Sequence, residues 1–108
     1  MATTEEYIEY VCERLHGMGV LRRKKMFGEY IVYADEVPVL LVCDNTVFIK
    51  ELPALAALMA DAERGYPYEG AKEHYILDVD DPMRTAQVVA LLREHTPRTA
   101  AKKKAKRA

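Results

Sequence analysis

The stretch Lys24 to Lys50, KKMFGEYIVYADEVPVLLVCDNTVFIK, constrains this chain more than any other. Met26 to Tyr33 and Val37 to Val42 are apolar at both odd and even positions, so strands built from them bury side chains on both faces of a sheet. Asp44-Asn45 suits a two-residue hairpin because both residues tolerate positive φ, and Ala34-Asp35-Glu36 marks a turn before it. The stretch therefore reads as three strands in a meander. Gly28 is a break inside the first strand, read as a bulge or a close backbone approach. Pro38 is tolerated at a strand start or edge.

Ahead of the meander, Thr3-x-x-Glu6 has the form of a capping box, and Ile8, Val11, Cys12 and Leu15 follow at helical spacing. A helix with one buried face results, ending at Gly17. Glu13-x-x-His16 has the spacing of half a carboxylate-bridged metal site, but no second copy accompanies it and no metal is expected. The run Leu21-Arg22-Arg23-Lys24-Lys25 is extended, with Arg22 and Lys24 on one face and Arg23 and Lys25 on the other. Charge at these positions protects an edge strand from adventitious pairing, or recognises an acidic ligand or partner.

Behind the meander, Pro53 suits the first turn of a helix whose inward stripe is Leu52, Leu55, Ala56, Leu58 and Met59, closed by Gly65. The segment from Tyr66 to His74 is an irregular, aromatic loop. Its Gly65, Gly70 and Lys72 fall short of a nucleotide-binding loop: no Ser or Thr follows the lysine, and a strand comes next. Tyr75 to Val79 reads as that strand, with Tyr75, Leu77 and Val79 on one face. Asp80-Asp81-Pro82 opens a last helix with Val88, Val89, Leu91 and Leu92 on its apolar side and Pro97 beyond it.

The element order is then α-β-β-β-α-β-α. Successive hairpins without β-α-β alternation imply an α+β class, a two-layer antiparallel sheet with helices on one face. Three helices cover one face, so the other is expected to be closed by loops or by a second copy, making a homodimer. A chain of 108 residues makes one domain, spanning 1–96, with a basic tail at 97–108.

Formal net charge is -1, yet the tail carries Arg98, Lys102, Lys103, Lys104, Lys106 and Arg107 without an acid, leaving the preceding chain acidic. Any nucleic-acid footprint is thereby confined to the tail, which is expected to be disordered and to contact phosphates without reading sequence. Cys12 and Cys43 sit in core-like patterns outside any ligand-spaced cluster and read as buried, reduced thiols. The acidic N-terminus resembles neither signal peptide nor anchor, and a cytoplasmic location without membrane contact is expected. The chain has no serine, and neither cysteine has a histidine beside it, so no nucleophile-base pair is legible and no cofactor is expected.

Lys25-Met26-Phe27-Gly28-Glu29-Tyr30, then Tyr33, Pro38 to Leu41, Val47 to Lys50, and the Tyr66-to-Tyr75 loop and strand together resemble the N-terminal domain of the TfoX/Sxy family. The resemblance covers roughly residues 5 to 95. It implies a two-layer α+β fold similar to that of type III secretion chaperones, and a regulator of natural competence acting with a cyclic-AMP-responsive transcription factor. Ile31 stands where that family commonly has glycine, and the family's C-terminal helical domain is replaced here by the basic tail.

The resulting expectation is a non-enzymatic protein-binding module associated with transcription, with weak nucleic-acid affinity through the tail. A small-ligand binder or enzyme is the alternative. Its pocket would lie beside Gly28 and the 66–74 loop, where Lys25, Lys50, Lys72 and His74 gather around an anion and Tyr66 and Tyr68 complete the surface. A dimer that holds an extended peptide in the manner of a secretion chaperone is a third reading.

Overall fold

Three two-residue turns build most of the sheet. In the computed structural model, which describes residues 3–96, Phe27 and Gly28 (φ 53° and 81°), Asp35 and Glu36 (51° and 67°), and Asp44 and Asn45 (51° and 53°) all have positive φ. That conformation matches the right-handed twist of the strands it joins. The hairpins connect β1 (Leu21–Met26), β2 (Glu29–Ala34), β3 (Val37–Cys43) and β4 (Thr46–Ile49). The expected three-strand meander thus has four strands. Gly28 is not a bulge within a strand: it is the second residue of a turn, because Met26 pairs with Glu29 across it. The irregularity falls instead beside Pro38, where Val32 pairs with Leu40 but Tyr33 with Pro38, leaving Val39 as the extra residue.

Beyond β4 the chain makes a 3₁₀ turn at Pro53–Leu55, a two-residue strand β5 (Arg64–Gly65) and β6 (His74–Ile76), completing a sheet of order β1-β2-β3-β4-β6-β5 with every neighbouring pair antiparallel. The α-helix expected from Pro53 to Gly65 does not form. After the 3₁₀ turn the chain coils through hydrogen-bonded turns, Met59 N–H donating to the Leu55 carbonyl and Ala62 N–H to that of Met59. Leu55 and Met59 are both fully buried, so the segment supplies its two anchors without a longer helix. A run this short gains little from propagating one. Gly65, expected to close the helix, pairs with His74 instead.

Two helices cover one face. α1 (Glu5–Arg14) is capped by Thr4, whose hydroxyl accepts from Tyr7 N–H, and not by Thr3. α2 (Pro82–His95) starts as expected, with Asp81 accepting from Arg84 N–H and Pro82 in its first turn. Ile8, Val11 and Leu15 from the first and Val88, Val89 and Leu92 from the second pack against Val32, Val42, Val47, Ile49 and Tyr75 of the sheet. Leu77 and Val79 are buried as the alternation predicts, although β6 itself ends at Ile76. The molecule is α+β, with an antiparallel sheet and its helices on one side. Among the described residues no helix is long and apolar enough to cross a membrane.

Thr3 acts elsewhere. Its amide and hydroxyl both donate to one oxygen of Glu29, at 3.1 and 2.7 Å, and Asp44 N–H donates to the same oxygen at 3.0 Å. This carboxylate fastens the chain's start to two adjacent hairpin turns.

Candidate functional site

The strand registers place Ile31 and Tyr33 of β2, Leu41 and Cys43 of β3, Phe48 of β4, and His74 and Ile76 of β6 on the face opposite the helices. This outer face is apolar, as the sequence requires, and only part of it is covered. A hollow of about 430 Å³ lies at its β1–β2 end, floored by Ile31, Leu41 and Cys43 and walled by Met26, Phe27, Pro67 and Tyr68. A second hollow of about 210 Å³ shares Ile31 and Leu41 and runs on to Phe48, Lys50 and His74. The two form one continuous shallow groove across the sheet.

Three aromatic side chains rim or flank this groove and stand largely in solvent: Phe27 is 99% exposed, and Tyr66 and Tyr68 are each 62% exposed. Phe27 is the hardest to explain by folding alone. It occupies the first position of a tight turn with φ 53°, where asparagine or glycine is favoured, and its ring contributes almost nothing to the core.

The pocket expected beside Gly28 and the 66–74 loop is therefore present, with Tyr68 in its wall. The expected gathering of cations is not. Lys25 lies on the helix side of the sheet, its Nζ 6.0 Å from the centre of the Tyr30 ring, because odd-numbered residues of β1 share the face of Tyr30 and Val32. Lys50 and His74 line the far end of the groove and meet Lys72 in an adjoining hollow that also holds Glu51 and Glu73. Desolvation and a hydrogen bond with Glu73 raise the Glu51 carboxyl above its ordinary value, and two neighbouring acids disfavour an anion there. His74 Nδ1 lies 2.8 Å from the Lys72 carbonyl, so this nitrogen carries the proton, and the ring meets Phe48 edge-on.

Neither thiol is poised for nucleophilic attack. Burial pushes Cys43 up to about 11, with Glu29 and Asp44 adding to the effect, and burial also raises Cys12. Both cysteines are free, as expected, but only Cys43 is buried; Cys12 is half-buried at the edge of the core. Among the described residues no group of three His, Cys, Asp or Glu side chains has metal-binding geometry. The tail cations Arg98, Lys102, Lys103, Lys104, Lys106 and Arg107 lie outside the described residues.

Sequence reading missed Met26, Phe27, Ile31 and Leu41 as site residues. Their signal was the two-sided apolarity of the strands, which announces a second buried face without saying what covers it.

No family model matches the chain. It is 36% identical over 78 residues to an uncharacterised 12.7 kDa protein in the trpE 5′ region of Spirochaeta aurantia, an alignment covering 72% of this chain and 68% of the relative. The chain belongs to the family of that spirochaete protein.

Proposed function

We propose that this protein is a non-enzymatic protein-binding module of the TfoX/Sxy kind, associated with transcription, whose assembled form is a homodimer closed over the outer face of the sheet. The observation that carries the reading is the apolar groove floored by Ile31 and Leu41 and rimmed by solvent-exposed Phe27 and Tyr68. Protein contact sites are enriched in aromatic residues set over an apolar core.

A second copy is the occupant in this reading. The β1 rim carries Arg22 and Lys24, and the opposite rim carries both signs, Glu51, Glu69 and Glu73 with Lys50, Arg64 and Lys72. A twofold axis parallel to the strands lays each β1 rim against the partner's β5–β6 rim, where carboxylates are available to Arg22 and Lys24, and stacks groove on groove, an isologous arrangement. The raised thiols suit a binding role better than a nucleophilic one.

Light scattering on the full chain is expected to give twice the monomer mass at micromolar concentration; a monomer throughout that range would overturn the homodimer. The basic tail adds weak, sequence-independent nucleic-acid affinity. Retention on DNA at low salt should fall when the chain ends at Thr96, and unchanged retention would remove that role.

A further inference from the structure

The homodimer leaves β1 unexplained. β1 is an edge of the sheet, it is six residues long, and all but Leu21 are exposed. Its pairing with β2 determines which backbone groups are free. Met26 and Glu29 close a two-residue hairpin, and Asp35 N–H donates to the Val20 carbonyl at 2.8 Å, so the even-numbered residues of β1 exchange hydrogen bonds with β2. The N–H and C=O groups of Leu21, Arg23 and Lys25 consequently point away from the sheet, spaced as a docking strand requires.

The side chains around that free edge are cations on both faces. Arg22 lies 4.0 Å over the Tyr33 ring and is paired with Glu36, and Arg23 and Lys25 lie 5.9 and 6.0 Å from the centre of Tyr30 on the opposite face. Held against the aromatic rings, these side chains flank the strand while its backbone edge stays exposed. Pairing two β1 edges would set cations against cations at cross-strand distance, which is destabilising. The β1 strand of a second copy is thereby disfavoured at this edge.

We infer that β1 is a docking edge for an acidic extended segment of another protein, which adds to the sheet as a seventh strand. The outward backbone groups of Arg23 and Lys25 hold its main chain, and Arg22 to Lys25 select carboxylates on both of its faces. Strand addition uses the backbone edge of β1 and does not require the outer faces of two copies to pair; where they pair, Arg22 and Lys24 serve that contact and Arg23 and Lys25 serve the docking strand.

The test uses the full-length protein and a fluorescent eight-residue peptide repeating Val-Glu-Glu, with a Val-Lys-Lys peptide as control. The acidic peptide should bind, the basic one should not, and affinity should fall as salt rises. Arg23→Pro removes one outward N–H while leaving the β1–β2 bonds in place, since proline is tolerated where the N–H faces solvent. Arg23→Gln removes the same charge but keeps the N–H.

The proline variant should bind at least about tenfold more weakly than the glutamine variant, the cost of stranding one peptide carbonyl. Should the proline variant fail to fold, hydrogen exchange on the unaltered chain decides: the amides of Arg23 and Lys25 should gain protection when the peptide is added. No binding of the acidic peptide, equal binding by the two variants, or protection absent from both amides would each overturn strand addition. The latter two results would leave only charge attraction, to the tail or to the surface.

Discussion

Phe27→Asn separates folding from binding at the groove. Phe27 sits at φ 53° in the β1–β2 turn, followed by Gly28 at 81°, a turn for which Asn-Gly is the favoured pair. An ordinary side chain in the left-handed region costs about 1–2 kcal/mol, and asparagine recovers part of it, about 0.5–1 kcal/mol. Little is lost in exchange, because a ring that is 99% exposed has almost no burial to forfeit. For a domain of this size that gain should raise Tm by about 2–8 °C. Thermal unfolding followed by circular dichroism, at a dilution where the unaltered protein is monomeric, provides the measurement. In the homodimer the sign reverses. Each buried phenylalanine ring is worth about 1.5–3 kcal/mol, and the twofold counts it twice, so dimer affinity should fall more than about a hundredfold. A lower Tm in the monomer would show that Phe27 packs within its own chain. Unchanged dimer affinity would show that the groove is not the interface.

Two further substitutions or conditions probe the scaffold. Glu29→Ala removes the acceptor of the Asp44 amide and leaves the Thr3 hydroxyl with the Val42 carbonyl alone, and it should cost about 1 kcal/mol, read as a lower urea midpoint; Glu29→Gln, which keeps an acceptor oxygen, should recover about half. The Cys43 thiol, at about 11 when folded against 9.0 as the ordinary value, keeps its proton longer in the native state than in the unfolded chain. Its contribution to stability is complete below pH 9 and is lost as pH rises toward 11. Cys43→Ala should flatten that part of the pH–stability profile, measured by denaturant midpoints, and an unaltered slope would assign the alkaline loss to other groups.

Residues with local requirements were the most legible in the sequence. Asp44-Asn45 turns where its tolerance of positive φ indicates, and Asp81-Pro82 opens the last helix because a cap and a first-turn proline act within four residues. The pocket beside Gly28 was also foreseeable, since apolar residues at both parities demand a second buried face. Phe27-Gly28 was misread because phenylalanine is a poor turn former: only the pairing of Met26 with Glu29, a tertiary outcome, forces it into one. By sequence Thr3, with Glu6 three residues on, is the better cap, but the distant Glu29 takes Thr3 and Thr4 caps instead.

The sequence by itself determined the class of the molecule, an antiparallel sheet with helices on one side and too much apolar surface for one side alone, because periodicity and turn chemistry are local properties. The tertiary structure alone decided which cations meet. Strand register sends Lys25 to the helix face, groups Lys50, Lys72 and His74 with Glu51 and Glu73, and leaves the hollow beside Phe27, floored by Ile31, Leu41 and Cys43, without them. A one-residue difference in register moves a strand's side chains to the opposite face, and register is set by partners far away in the chain.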